Sequence, residues 1–412
     1  MKKHAYSHID LMEERYKKEN TGKVYGVLLS ALQGRLAKAR WEDFDENDWA
    51  DLQEMAGKEG VAGALYWHWK QFPSNLKLPT MIAGFLGAHY FRNRERYLQA
   101  EITICENIGP AILDTQKIII LLKGVVLASA LYPNSGMRPL VDIDCLAAKE
   151  DISCIQETLH SIGYTEGEEH SNLEWGGHKE HHIALYSNDP AKLKIELHYS
   201  LSGVASEMFS IDTGWFLKNI QPASLRCQQE SLWVFNPSAQ LLHLCIHLLL
   251  DNGEGASDLI HFFDIHLLIN KWGNQIHWPG LVNAARKMNL DYALWAAVKG
   301  SLERFGTSMP SDLEDIPNGR HIYPVKRYLE SRKKQYPRTP IERYLRRLSG
   351  LPARKRIAGF FRFLFPKSNY IRSQYRVKPD WLWFLGYFLR LLNGFRQAAD
   401  ITLRKLNRKK SE

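Results

Sequence analysis

Two aspartates at a spacing of two, Asp142 and Asp144, lie in an apolar run with Val141, Ile143 and Leu146. Side chains alternate between the two faces of a β-strand, so both carboxylates are predicted to project from one face. The apolar neighbours predict a half-buried strand. Two like charges side by side in such a position are costly unless a positive charge lies between them. The pattern therefore predicts a cation at this strand, and a divalent ion is the usual solution.

A Lys-Gly step precedes the acidic strand. The run 117–122 is β-branched, apolar and of strand length, and Lys123-Gly124 follows it at the start of a short apolar helix. Glycine lets the backbone come close to a ligand, a helix N-terminus presents free N–H groups, and Lys123 adds a positive charge. The step is therefore a candidate phosphate cradle. Arg138, just ahead of the acidic strand, is a further candidate for binding phosphate or for ordering the turn.

A third acid follows on a later strand. Glu196 and His198 alternate with Ile195 and Leu197, so the first two share one face. If this strand pairs beside the strand of Asp142 and Asp144, three carboxylates converge. Such oxygen ligands suit Mg²⁺, which keeps waters and is shared with substrate phosphates. We expect one or two Mg²⁺ ions here; in a two-ion arrangement one ion activates the attacking oxygen and the other holds a triphosphate.

The hydrophobic periodicity predicts an α+β fold, in which a small mixed β-sheet core is flanked by N-terminal helices and a C-terminal helical bundle. The strands and helices of the middle block follow the order β-α-β-α-β-β over residues 117–200. The predicted parts are a poorly ordered N-terminus (1–26), a helical subdomain (27–116), the α/β core (117–235), a helical bundle (236–319) and a basic, aromatic-rich helical tail (320–412).

The net charge of +9 is unevenly distributed. From Arg320 onward there are 25 Lys and Arg residues against five Asp and Glu, a net charge of +20, so the preceding residues carry −11. A solvated helical face is the default interpretation of the tail. A membrane-surface patch is an alternative, because cationic and aromatic residues interleave at 354–366 and 381–396. Nucleic-acid binding is a third alternative, since positive charge attracts phosphate backbones, but we find no recognised reading motif.

The five cysteines show no CxxC pair and no metal-ligand spacing, so we expect reduced thiols. The N-terminus has no apolar signal-peptide core, and the chain has no uncharged apolar run of about 18 residues that would span a bilayer. These features predict a cytoplasmic protein. The basic tail could in addition bring it into peripheral contact with a membrane.

Two groups of histidines have alternative interpretations. His243 and His247 are four residues apart on one helix, a spacing that can bind zinc. No third ligand is evident, so polar core contacts, with Asp264 as a partner, are favoured. A second group precedes the strand of Glu196 and could line the acceptor side of a cleft, accept a proton, or belong to a polar loop at the rim; it consists of His178, His181 and His182. His182 and His198 are expected to contact the metal ligands rather than the metal ion itself.

These motifs, in this order, resemble the nucleotidyltransferase superfamily that includes DNA polymerase β, poly(A) polymerases and antibiotic nucleotidyltransferases. More narrowly, the chain resembles a bacterial family of uncharacterised nucleotidyltransferases. The resemblance extends over about residues 25–310. It depends on K-G-x-x-L-A at 123–128, Tyr132-Pro133, R-P-x-x-D-I-D at 138–144 and E-L-H at 196–198.

The resemblance implies that Asp142 and Asp144 are metal ligands and that Glu196 is the third catalytic carboxylate. In many members of the superfamily the first helix opens with Gly-Ser, whose serine touches the triphosphate. Lys123-Gly124-Val125 stands here instead. This departure leaves the triphosphate contact open, with Lys123 as the candidate.

The implied activity is Mg²⁺-dependent transfer of a nucleoside monophosphate from ATP or another NTP to an acceptor, with release of pyrophosphate. A sugar, a lipid-linked glycan, a small metabolite or a protein are all compatible acceptors. The alternative is a non-catalytic protein that keeps the fold and binds a nucleotide or a membrane-associated partner. A third possibility is transfer directed to RNA through the basic tail.

Overall fold

The computed structural model describes residues 19–35, 41–71, 77–166, 182–189, 191–201, 209–251 and 258–318, together with 357, 365, 371, 382 and 384–389. The described residues up to 318 belong to one compact unit, and those from 357 onward belong to a second. Most of the basic tail, including much of its two aromatic segments, and the loop that holds His178 and His181 lie outside the described residues.

Helices form the first part of the chain. They begin earlier than the sequence predicted, because α1 starts at Glu19 and buries Val24, within the segment 1–26 expected to be poorly ordered. The second helix begins with a capping box. Its N-cap residue Asp45 accepts a hydrogen bond from the Asp48 backbone N–H, and the Asp48 side chain accepts one from the Asp45 backbone N–H. The helices are α1 (Glu19–Leu32), α2 (Glu46–Lys58), α3 (Ala62–Gln71), α4 (Thr80–Ile102), a π-helical turn (Thr103–Ile108) and α5 (Gly109–Asp114).

A seven-stranded mixed sheet follows, in the order β3-β4-β5-β2-β1-β7-β6. β1 pairs antiparallel with β2 and parallel with β7, and β2 pairs parallel with β5. The strands and the helices between them are β1 (Ile119–Leu121), α6 (Lys123–Ala130), β2 (Ile143–Leu146), α7 (Ile152–Ser161), β3 (Tyr164–Glu166), β4 (His182–Ser187), β5 (Ile195–His198), α8 (Thr213–Lys218), β6 (Ile220–Pro222) and β7 (Leu232–Phe235).

The predicted mixed sheet is confirmed, but two of its strands were missed. β3 and β6 have three residues each and are the two outermost strands of the sheet. Edge strands this short carry little apolar alternation, which is the signal from which strands are predicted. The acidic strand is also shorter than expected, because β2 begins at Ile143 and Asp142 lies just before it.

Helices again form the segment after the sheet. Asn236 caps the first of them by accepting from the Ala239 backbone N–H at 3.0 Å, and Pro237 occupies the first turn. The helices are α9 (Pro237–Ile246), a π-helical turn (His247–Asp251), α10 (Asp258–Trp272), α11 (Trp278–Lys287), α12 (Asp291–Phe305) and the short α13 (Ser311–Glu314). With the N-terminal helices and the sheet, they confirm the predicted α+β architecture.

The central strands are buried on both faces. Ile119 and Leu121 of β1 belong to one hydrophobic cluster, whereas Ile120 belongs to the other, as the two-residue period of a strand requires. Leu146 lies in the second of these clusters, together with side chains from the N-terminal and C-terminal helices. By the same alternation, Asp144 projects from the face of Leu146, so the acidic side chain lies on the face that the helices cover.

A buried ion pair joins the approach to β2 with α10. Arg138 donates through Nε and Nη2 to the two carboxylate oxygens of Asp264, at 2.9 Å each, and Tyr132 donates to Asp264 at 2.6 Å. Burial alone would raise the pKa of Asp264, but the Arg138 guanidinium and His261 hold it below its ordinary value. The pair orients the turn that carries the chain into the acidic strand.

The expectation of reduced thiols is wrong for two of the five cysteines. Cys105, in the π-helical turn after α4, forms a disulfide with Cys227 in the segment before β7. The sheet brings together residues that are 122 positions apart, and a separation of this size carries no motif that a sequence pattern could reveal. Cys145, Cys154 and Cys245 are free.

Within the part of the chain that the structure describes, none of the helices combines the length and the apolar character needed to cross a bilayer.

Replacement of Asp264 by Asn should lower the free energy of unfolding by about 3–5 kcal/mol, because it leaves the buried Arg138 charge without a counter-charge. Urea denaturation at pH 7.5 measures the change. The control is Glu54→Ala, which breaks an exposed pair with Lys58 and should hardly change the transition. Equal effects of the two substitutions would contradict the structural role of the buried pair.

Candidate active site

The pairing of β2 with β5 brings the predicted acids together. Asp144 of β2 and Glu196 of β5 are register partners in this parallel pair, so their side chains leave the sheet side by side. Asp142 precedes β2 by one residue and is linked to Glu196 through the Lys194 ammonium. The sequence-based hypothesis that the third acid lies on the neighbouring strand therefore agrees with the observed register.

Asp144 is the most buried of the three acids, with 4% of its surface exposed. Its Oδ1 accepts from Lys123 Nζ at 2.9 Å and contacts His198 Nε2 at 3.0 Å. Burial by itself would raise the pKa of Asp144, but the charges of Lys123 and His198 hold it well below the ordinary value. The Asp144 carboxylate is therefore ionised at neutral pH, with the Lys123 ammonium and the His198 imidazole as its partners.

Lys123 reaches Asp144 from a strained backbone. It is the first residue of α6 and has φ of +44°, in the left-handed region that non-glycine residues rarely adopt. This conformation costs roughly 1–2 kcal/mol for a residue with a Cβ. Burial would lower the pKa of the Lys123 ammonium, yet Asp144 raises it, so the side chain stays charged.

Lys194 is a site residue to which the sequence analysis gave no role. Its Nζ lies 2.6 Å from Glu196 Oε1 and 3.4 Å from Asp142 Oδ2, so one ammonium links two of the three acids. The signal was present, because Lys194 is two residues before Glu196 and strand alternation places both on one face. Burial raises the pKa of Glu196, but His198 and Lys194 together reduce it to about 2.

Asp142 is the acid with the least compensation. Burial, followed by the negative charges of Asp144 and Glu196, raises its pKa to about 6. The Lys194 ammonium, at 3.4 Å, offsets only part of this repulsion. The site thus retains an excess of carboxylate repulsion at neutral pH, which a bound cation would relieve.

The two histidines expected behind the acids stand directly beside them. His182 and His198 are register partners on the antiparallel strands β4 and β5, with ring centroids 5.0 Å apart. His182 Nε2 lies 4.0 Å from Glu196 Oε2, and His198 Nε2 lies 3.7 Å from it. Burial lowers the pKa of His182 to about 4, whereas hydrogen bonds to Asp144 and Glu196 outweigh burial and raise that of His198.

The other two candidate phosphate-binding residues make contacts within the protein. A Cβ on Gly124 would lie 2.5 Å from Leu140 Cδ1 and 3.2 Å from Arg138 Nη1, so a larger residue would force the Leu140 side chain to shift. Arg138 uses Nε and Nη2 on Asp264 and donates from Nη1 to the Pro139 carbonyl at 3.1 Å. These contacts correspond to the turn-ordering alternative for Arg138.

His243 and His247 lie in the C-terminal helices. His243 is buried in α9, its Nδ1 has no hydrogen-bond partner among the described residues, and burial lowers its pKa to about 3. His247 packs edge-on against His261, with ring centroids 5.0 Å apart. The histidine within salt-bridge distance of Asp264 is His261, at 3.7 Å, rather than the pair that the sequence spacing singled out.

The donor set suits a hard cation. Three carboxylates repel one another across a half-buried sheet face, and two lysines and a histidine are their present counter-charges. Oxygen ligands of this kind are those that Mg²⁺ prefers. Asp142, Asp144 and Glu196 therefore offer the type of donor atom that the sequence motif implied.

Comparison with known proteins identifies one family. The model of a family described as "uncharacterised nucleotidyltransferase" matches residues 45–306. This match includes the sheet, all three acids and most of the C-terminal helices. No curated protein and no solved structure matches the chain.

Asp142→Asn should stabilise the protein when metal ions are removed with EDTA. The pKa of about 6 lies above the value of about 3.9 for an unfolded aspartate, so ionised Asp142 destabilises the fold at neutral pH. In urea denaturation at pH 7.5 the variant should unfold at a higher midpoint than wild type. The difference should shrink as the pH falls through 6 and vanish near 4.

The control for this measurement is Asp114→Asn at the exposed end of α5, which should leave the midpoint unchanged. A less stable Asp142→Asn variant at pH 7.5 would contradict the repulsion among the carboxylates.

Proposed function

The chain belongs to the family of uncharacterised nucleotidyltransferases, and from this premise we propose that it transfers a nucleoside monophosphate from an NTP to an acceptor and releases pyrophosphate. The observation that carries the proposal is the convergence of Asp142, Asp144 and Glu196 on one face of the sheet, with Lys123 beside them. The raised pKa of Asp142 means that its carboxylate destabilises the fold at neutral pH, a cost that a role in binding a cation would explain.

Asp142, Asp144 and Glu196 would hold Mg²⁺ in this proposal. The ion, when bound, supplies charge neutralisation at the phosphates and lowers the pKa of the attacking hydroxyl. Positioning and electrostatic stabilisation account for most of the catalysis in phosphoryl and nucleotidyl chemistry. The role of the protein is to hold these charges in place and to keep the reacting groups aligned.

The lysines would bind the triphosphate. Lys123 is half-buried and charged, and it is held beside Asp144 by a strained backbone, so its ammonium is positioned in advance for a phosphate oxygen. Lys194 carries a second positive charge on the Asp142 side. Each ammonium has three N–H donors, so it could keep its contact with a carboxylate and also donate to a phosphate oxygen.

The acceptor proton has a recipient in the same cluster. Burial lowers the pKa of His182 to about 4, so its imidazole is neutral at pH 7. Glu196 is ionised and lies within 4.0 Å of that ring. Glu196 would orient or deprotonate an acceptor hydroxyl, whether of a sugar, a lipid-linked glycan, a small metabolite or a protein.

Pyrophosphate release from each NTP in the presence of Mg²⁺ tests the proposal. Asp144→Ala should reduce the rate by on the order of 10³-fold or more, since loss of a metal-holding carboxylate removes several kcal/mol of transition-state stabilisation. The matched control is Glu157→Ala on the exposed side of α7, which should keep wild-type activity. Turnover unaffected by Asp144→Ala would refute the assigned site. A lack of turnover with every NTP and acceptor pool would favour a nucleotide-binding protein without catalytic activity.

Lys123→Ala should raise the KM for the NTP more than it lowers kcat, because the ammonium is proposed to contact phosphate in both the ground state and the transition state. Steady-state kinetics with varied NTP at saturating Mg²⁺ separates the two constants. Lys271→Ala is the control, since that lysine is an exposed α10 residue bonded to the Ala130 carbonyl. A fall in kcat alone would place Lys123 in the chemical step and contradict phosphate binding as its main role.

A further inference from the structure

His182, Glu196 and His198 form a cluster with the spacing of a metal site. One ligand atom from each lies within 4.8 Å of the other two, and no other set of three potential ligands in the described residues is this compact. Sheet register explains the cluster: His182 stands opposite His198 across β4 and β5, and Glu196 is two residues before His198 on the same face. The positions are therefore fixed by backbone hydrogen bonds rather than by a loop.

The distances are close to those that a metal ion needs. Glu196 Oε2 lies 3.7 Å from His198 Nε2 and 4.0 Å from His182 Nε2. Ligands of a tetrahedral ion with bonds of about 2.0–2.1 Å are about 3.3 Å apart. The two carboxylate–imidazole pairs therefore have to approach by less than about 1 Å for such bonds. The two imidazole nitrogens lie within 4.8 Å of each other, so small side-chain rotations bring them into range as well.

The donor types differ from those of the all-carboxylate set. Two imidazole nitrogens and one carboxylate oxygen favour first-row transition metals, whereas Mg²⁺ prefers oxygen ligands and retains water. A His₂Glu set that leaves a fourth position open is an arrangement in which zinc binds water or substrate. The two histidines can therefore bind a metal ion directly, in addition to contacting the carboxylate ligands.

We propose that His182, Glu196 and His198 bind a transition-metal dication of the Zn²⁺, Mn²⁺ or Fe²⁺ class through two nitrogens and one oxygen. The proposal rests on the proposed function for the role of Glu196 and deepens it, because it makes one ion of the site a transition metal. Asp142 and Asp144 remain with Mg²⁺. The site then selects two kinds of ion through two donor sets that share Glu196.

The surrounding charges permit this arrangement. His198 Nε2 would exchange its contact with Asp144 for the metal, but Lys123 stays on the same Asp144 oxygen at 2.9 Å, so the buried carboxylate keeps a counter-charge. Lys194 approaches Glu196 at Oε1, and both histidines face Oε2. The oxygen proposed to bind the transition metal is therefore not the one that the lysine uses.

Cobalt binding tests the proposal without depending on turnover. Tag-free full-length protein, stripped with EDTA and dialysed, is titrated with Co²⁺ and followed by its visible d–d absorption. We expect one saturable Co²⁺ per chain, which Zn²⁺ displaces and a large excess of Mg²⁺ does not. His182→Ala should weaken the affinity at least tenfold, since loss of a group behind a ligand already costs about 10–100-fold.

His160→Ala is the matched control, because His160 is exposed in the last turn of α7 and should leave the titration unchanged. His182→Gln keeps a side chain of similar size, so equal loss in both variants with unchanged thermal unfolding excludes misfolding as the cause. A titration that is identical in wild type and His182→Ala, a spectrum with thiolate charge-transfer bands from a cysteine site, or displacement by Mg²⁺ would overturn the proposal.

Asp142→Asn separates this proposal from the nucleotidyl-transfer proposal. The variant should keep the Co²⁺ titration, since Asp142 is not in the nitrogen-containing set, and should lose Mg²⁺-dependent pyrophosphate release. Cobalt binding that depends on His182, with no turnover of any NTP, would support the metal site and contradict the proposed reaction. Turnover of an NTP without cobalt binding would support the reaction and contradict the metal site.

Discussion

The compensation of buried Asp144 is the interaction on which the site depends. A carboxylate with 4% exposure could not remain ionised on a sheet face without counter-charges, and Lys123 and His198 supply them at 2.9 and 3.0 Å. One comes from α6 and the other from β5, so a single acid ties together the helix that follows β1 and the strand beside β2. The strained backbone of Lys123 is the local cost of that arrangement.

The two-residue period of the strands places this charged cluster on the face opposite one of the two hydrophobic clusters. Ile195 and Leu197 of β5 pack into one hydrophobic cluster, so Glu196 and His198 must leave from the opposite face. A second buried ion pair, between Arg138 and Asp264, holds the turn that leads into β2 against α10. The sheet and the helices thus cooperate: the sheet sets the spacing of the acids, and α10 fixes the approach to the acidic strand.

The counter-charges offset only part of the repulsion among the three carboxylates. The raised pKa of Asp142 means that the folded chain carries an unfavourable charge at neutral pH, as active sites often do. Cations relieve such repulsion, and the donors available divide into an oxygen set and a set with two imidazoles. The membership of the chain in a nucleotidyltransferase family accords with the first set. The second set gives the same site a chemistry that the family description does not mention.

The sequence by itself determined the α+β class and the acids on alternating strand positions, because strand periodicity and the order of motifs are local properties. It also contained Lys194, two residues before Glu196, although only the observed contacts gave that lysine a role. Tertiary structure alone decided that Arg138 pairs with Asp264, that Cys105 meets Cys227, and that His182 faces His198. Each of these depends on strand register or helix packing between distant segments, and local periodicity carries no information about which distant partners meet.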